Sequence, residues 1–241
     1  MDPIMNDSHK LSPPAASSTL AASVRRVVAL SAIAGCVEVT GYLDCSSIYP
    51  GIMTGNTVQL GLTSATSAWT RFDLIAFAVA SFFVGGIIAS VIRRHLRQPA
   101  FELLIMAAIL AVASVVRMDT ALRAAVELPL LAIAMAMQGE TLSKFGGVSI
   151  QTIVVTNSMV KFTDALTGRY LVRGADVPSL AEVVLPGSAW LTYTLAAGPG
   201  ALAASYLRLP LMIPILLLVG VAVDLSSRAA APTGVAGESG V

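Results

Sequence analysis

The sequence predicts an all-α membrane protein: a six-span helix bundle of two inverted three-span repeats, each with a re-entrant or interrupted helix. Three observations lead there. The chain is 56% hydrophobic and only 12% charged, with a mean hydropathy of +0.79, whereas soluble domains carry about 25% charged residues. Apolar runs of roughly 17–25 residues, each able to cross a hydrocarbon layer about 30 Å thick, recur along the chain. Two polar stretches, Met53–Gly61 and Val155–Phe162, interrupt these runs at related places. Backbone groups in lipid pair internally, which selects helices, and alternation of barrel-strand length is absent.

Residues 1–24 read as a flexible N-terminal tail rich in Ser, Ala and Pro. The apolar run behind it is too long for a secretory signal and carries Glu38. Residues 25–225 form a single transmembrane domain, with repeat 1 at about 25–117, repeat 2 at about 126–225 and a flexible tail over 226–241. The expected spans are Val27–Cys45, Phe72–Ile92, Phe101–Val116, Leu128–Phe145, Pro186–Leu207 and Leu209–Leu225. Pro129 suits the first turn of the fourth, where its missing N–H costs nothing.

Charge placement decides what the Met53–Thr66 and Ile150–Leu166 segments do. If neither crosses and the amino terminus is cytoplasmic, eleven Lys and Arg fall inside, including Arg25, Arg26, Arg93, Arg94 and Arg97, and four outside: Arg71, Arg117, Arg123 and Arg208. A crossing by both would move the Arg93–Arg97 cluster outside. Both termini are therefore expected in the cytoplasm, with both segments re-entrant or interrupted and lining a protein-buried cavity.

A shift of 102 residues places Glu38 on Glu140, Thr54 on Thr156, Gly55 on Asn157, Asn56 on Ser158 and Val58 on Val160. Beyond the loop the shift becomes 115, and Gly85 and Ala89 meet Gly200 and Ala204. Such small-xxx-small pairs let helices approach closely. Three spans per repeat is an odd number, so the halves are inverted, a design whose sites lie at the repeat interface near the midplane.

Glu38 lies about 17 Å along its span at 1.5 Å per residue, close to mid-bilayer. An acidic group there faces the interior or is protonated. It is a proton- or ion-coupling carboxylate, or a structural one bonded to backbone N–H groups of the Thr54–Thr57 turn. Thr54 and Asn56 are candidate caps of the re-entrant helix, and Gly55 the residue that gives its start a special backbone. Glu140 is the repeat mate of Glu38, but Lys144 four residues on offers it an ion pair on the helix surface. Thr156 and Asn157 complete the candidate substrate- or ion-binding set. Gln59 and Gln138 read as interhelical amides. Cys36 and Cys45, nine apart, lie about 13 Å from each other on one helix and cannot bridge. No His/Cys cluster has metal-ligand spacing, and no cofactor is expected.

The motif Gly35-x-x-Glu38-x-x-x-Tyr42-Leu43, followed by Met53-Thr54-Gly55-Asn56-Thr57-Val58 and Leu60-Gly61, resembles the YoaK family of bacterial membrane proteins, a domain of unknown function. Met135–Gln138, Val155-Thr156 and Val160–Thr163 add a looser second match, and together they cover roughly residues 25–225. The family usually has Asp where Glu38 stands, which leaves carboxylate chemistry intact. It has Asn where this chain has Gly139, and Thr-Gly where this chain has Thr156-Asn157. The resemblance implies a six-span protein of the bacterial inner (plasma) membrane and brings no activity with it.

The functional expectation is a transporter or channel for a small solute with a polar site near the midplane, coupled to protons through Glu38. The alternative is a non-transporting accessory or scaffold protein. An enzyme is not expected, since no Ser/His, Cys/His or metal constellation occurs. The expected partners are the lipid bilayer and a small solute or proton. A net charge of +1 gives no reason to expect nucleic acid.

Overall fold

The computed structural model describes residues 14–96, 99–141, 144–145, 148–149, 155–172 and 177–229, with side chains over 20–95, 100–139, 155–172 and 177–227. Eight α-helices occur among the described residues: α1 (Pro14–Asp44), α2 (Met53–Ala65), α3 (Trp69–Leu96), α4 (Pro99–Val116), α5 (Leu128–Thr141), α6 (Val155–Leu166), α7 (Leu180–Tyr206) and α8 (Met212–Ala229). A two-residue β-ladder pairs Lys144–Phe145 with Val148–Ser149. Leu20–Asp44, Trp69–His95 and Thr120–Gly139 are long and apolar enough to cross a membrane, and Ala100–Val116 and Met212–Ser227 are shorter apolar helices. The chain is thus a helical membrane protein.

Several boundaries differ from those read in the sequence. α1 starts at Pro14, inside the stretch read as a tail, because the Ala-rich segment behind that proline sustains a helix. α5 ends at Thr141 rather than near Phe145, which belongs to the β-ladder. α7 starts at Leu180, before Pro186, because Ser179 and Glu182 form a reciprocal capping box there. The Ser-x-x-Glu spacing at Ser179 and Glu182 is the local signal for this earlier start. The Glu140–Lys144 pair, the loop residues Arg173 and Asp176, and the start of the second polar segment, 150–154, lie outside the described side chains.

The packing pairs the two halves of the chain. α1 packs most extensively on α7, α3 on α5, and α4 on α8. Glycines permit the first two contacts. A Cβ on Gly200 of α7 would lie 3.0 Å from the Cys36 Cα of α1, and one on Gly85 of α3 would lie 2.7 Å from the Ile133 Cα of α5. The main core joins Leu30 and Ile33 of α1, Met106 and Leu110 of α4, Leu131 and Met135 of α5, Leu185 of α7 and Leu218 of α8.

Ion pairs mark the two ends of the bundle. Asp224 near the end of α8 accepts from Arg25 at 2.8 Å and from Arg26 at 2.9 Å. The first turns of the α1 core segment and the last turn of α8 therefore lie together. At the other end Arg117, just after α4, donates to Asp44 at the end of α1 and, at 2.7 Å, to the carbonyl of Ala204 near the end of α7. Where α1 ends, Ser46 and Ser47 both have left-handed backbones, with φ of 53° and 61°. They reverse the chain into the 48–52 loop that leads to α2.

α2 and α6 share their register. They start at Met53 and Val155, 102 residues apart. In each, the second residue is exposed (Thr54, Thr156), the third half-buried (Gly55, Asn157) and the fourth buried (Asn56, Ser158).

Candidate functional site

The site is built where α1 passes the loop that enters α2. Glu38 stands six residues before the end of α1, only 3% exposed, between the α5 and α7 sides of the bundle. Its carboxyl group faces the backbone of Gly51 and Ile52. Neither of its oxygens closes an aligned hydrogen bond with any described group. Ile52 is the N-cap of α2 and its side chain caps nothing. The carboxyl group therefore sits where a helix presents free N–H groups and the positive end of its dipole.

Gly51 makes this approach feasible. A Cβ on it would lie 2.2 Å from Oε1 of Glu38 and 3.0 Å from the Cβ of Met135 on α5. No side chain larger than hydrogen fits there unless Glu38 moves. The expectation that Gly55 supplies the special backbone is corrected by these distances. A Cβ on Gly55 would meet the Tyr49 ring at 3.4 Å, an ordinary contact inside a regular helix.

Asn56 is fully buried, and both ends of its amide bond the backbone of Tyr49. Its Nδ2 donates to the carbonyl of Tyr49 at 2.7 Å, and its Oδ1 accepts from the Tyr49 N–H at 3.2 Å. It fastens the entry loop instead of capping the first turn of α2, so the expected capping role is not taken by Asn56. Thr54 does not take it either, for it is exposed on the outer side of α2. Held this way, Tyr49 stacks on Tyr42 with ring centroids 4.7 Å apart. Tyr49 and Tyr193 of α7 both come close enough to Glu38 to feel its charge. The structure thus brings Glu38, Asn56 and Gly55 into one neighbourhood with Gly51, Tyr49 and Tyr193, and leaves Thr54 outside it.

In the second copy Thr156 is exposed, Asn157 half-buried and Ser158 buried. The amides of Gln138, buried, and Gln59, half-buried, behave as interhelical links. Gln138 of α5 donates to the Leu30 carbonyl of α1 at 2.6 Å, and Gln59 of α2 accepts from Arg71 of α3 at 3.0 Å. Among the described residues no group of three His, Cys, Asp or Glu is placed to hold a metal ion.

Sequence reasoning missed Gly51, Tyr193 and a second buried polar cluster at the end of the bundle where α1 stops. There Asp44 accepts from Arg117 and, at 3.2 Å, from Arg123, beside a fully buried Glu127. The one signal for it was an acidic residue at the edge of each of two apolar segments.

Residues 27–223 match the family model described as a protein of unknown function (DUF1275). The chain is 26% identical over 202 residues to the UPF0700 transmembrane protein YoaK of Bacillus subtilis (strain 168), covering 78% of this chain and 87% of that protein. No solved structure matches. The polar break at Glu38, Gly51 and Asn56 thus lies wholly inside the matched region, and the chain belongs to the DUF1275, YoaK-like family of membrane proteins.

Proposed function

We propose that the protein is a six-span transporter or channel for a small solute, made of two inverted three-span halves, with Glu38 as the group that couples solute movement to protons. The carrying observation is the Glu38 carboxyl group, 3% exposed and without an aligned donor, at a break between two helices. A buried carboxyl whose nearest donors, the Gly51 and Ile52 backbone, close no aligned hydrogen bond is expensive to keep. Binding or losing a proton there would change the charge at the helix break, which is the basis of the coupling reading.

The inverted design draws on packing and length. Exchanging the halves turns the α1–α7 contact into the α5–α3 contact, turns α2–α3 into α6–α7, and leaves α4–α8 unchanged. The end markers give α1, α4 and α7 one direction and α5 and α8 the other, with α3 fixed by its short link to α4. α2 and α6 have 13 and 12 residues, about 20 and 18 Å at 1.5 Å per residue. That is short of a hydrocarbon core of about 30 Å, so both fit re-entrant segments. The surplus of Lys and Arg at the end holding Arg25, Arg26, Arg93 and Arg94 supports cytoplasmic termini in a bacterial inner membrane.

A second reading, a non-transporting accessory or scaffold protein, is favoured by Asn56, whose Nδ2 and Oδ1 both serve to hold the Tyr49 backbone, a structural use. The deciding experiment is a solute-uptake panel in proteoliposomes with and without an imposed pH gradient. Under the transport reading, wild type moves a solute faster with the gradient, and Glu38→Gln loses that acceleration while staying folded. Uptake by Glu38→Gln with an unchanged pH profile removes Glu38 from coupling. No uptake of any solute by folded wild type leaves the scaffold reading.

A further inference from the structure

We propose that Glu127 carries a proton and donates it to Asp44, so that a proton-binding carboxyl pair closes the end of the bundle opposite Arg25 and Asp224. This cluster lies apart from Glu38 and does not rest on the transport reading.

Glu127 sits in a single π-helical turn, Arg123–Glu127, that leads into α5. It is 0% exposed, and neither carboxyl oxygen meets a described donor. The groups facing it are Asp44 at the end of α1, Cys45 just after it, Arg117 after α4, and Arg123 of its own turn. Arg117 spends Nε and one terminal nitrogen on Asp44, and that nitrogen also reaches the Ala204 carbonyl. Arg123 spends NH1 on Asp44 and Nε on the Arg117 carbonyl, and its side chain is 28% exposed. The Cys45 thiol points to the Arg123 carbonyl at 3.6 Å. Both guanidinium groups therefore converge on Asp44, and their aligned hydrogen bonds stop short of Glu127.

Counting charges alone would ionise Glu127, since two arginines face two acids. Placement decides otherwise. Part of the Arg123 charge is solvated, whereas an ionised Glu127 would sit dry, without a donor, against a second carboxylate. One proton on Glu127 removes that repulsion and gives Asp44 an O–H donor in place of a like charge. The pair then ties the end of α1 to the start of α5, while Arg117 ties the same Asp44 to the ends of α4 and α7. Losing the proton sets two carboxylates against each other across α1 and α5. Opening of this end is thereby linked to proton release. Because the folded state holds a proton that the unfolded chain releases at neutral pH, stability falls as pH rises.

The test compares wild type, Glu127→Gln and Glu38→Gln, full-length in lipid bilayers, by infrared spectroscopy and thermal unfolding. Glutamine keeps the donor and the shape. The expected result is an un-ionised carboxyl C=O band at neutral pH that Glu38→Gln retains and Glu127→Gln lacks. Glu127→Gln should melt within about 2 °C of wild type at pH 6 and several degrees above it at pH 9, since about 1 kcal/mol moves a chain of this size by roughly 2–4 °C. Three results would each overturn the proposal: a neutral-pH spectrum that Glu127→Gln leaves unchanged, a Glu127→Gln protein that fails to fold or melts far lower at pH 6, or equal pH dependence in both proteins.

Discussion

Asn56 holds Tyr49 by both of its backbone groups, Nδ2 on the carbonyl at 2.7 Å and Oδ1 on the N–H at 3.2 Å. The loop that carries Gly51 past Glu38 is thereby fixed to the second turn of α2. Replacing Asn56 by Leu keeps the volume and leaves one donor and one acceptor unpaired in a dry place. Thermal unfolding in detergent should read a loss of about 2–4 kcal/mol, since each such group costs roughly 1–3 kcal/mol. A melting temperature unchanged by Asn56→Leu would mean that the loop is held by something other than this pair.

Three glycines near the site should rank in a fixed order. At Gly51 an added methyl group meets Oε1 of Glu38 at 2.2 Å, at Gly55 it meets the Tyr49 ring at 3.4 Å, and at Gly61 it meets nothing within 4 Å. Gly61→Ala should be neutral or stabilise α2 by about 0.5–1 kcal/mol, because alanine loses less conformational freedom. Gly51→Ala should cost about 1–3 kcal/mol through overpacking, with Gly55→Ala between the two. Equal melting temperatures for Gly51→Ala and Gly55→Ala would remove the close approach as the reason for the glycine.

The start of α7 should carry a pH signature of its own. The Ser179 hydroxyl, and after it the Ser179 backbone N–H, hold the Glu182 carboxyl below its ordinary value. A carboxyl lowered in the folded state contributes stability above its unfolded value of about 4.3, and that stability disappears as pH falls through the lowered one. Wild type should therefore lose stability in acid relative to Glu182→Gln. Ser179→Ala should cost about 1 kcal/mol at neutral pH and flatten the difference. An acid profile for Ser179→Ala that matches wild type would detach the effect from the cap.

Hydropathy and spacing, which are read along one dimension, determined a good deal here. They gave the helical membrane class, the end of α4 at Val116, and the start of α2 at Met53. They also singled out Glu38 as an acid buried in an apolar span, and the side-chain packing agrees. Both follow from local composition, because lipid solvation acts on each segment separately.

What faces Glu38 was decided only in three dimensions. Asn56 turned back to Tyr49 instead of to the first turn of α2, and Gly51 took the close approach expected of Gly55. The cluster of Asp44, Arg117, Arg123 and Glu127 left only its two acids as a trace in the sequence, since Arg117 and Arg123 read there as ordinary loop charges. Arg117 reaches Asp44 across 73 positions of chain and Ala204 across 87. Pairings over such separations depend on which helix ends arrive together, and helix packing rather than local sequence sets that.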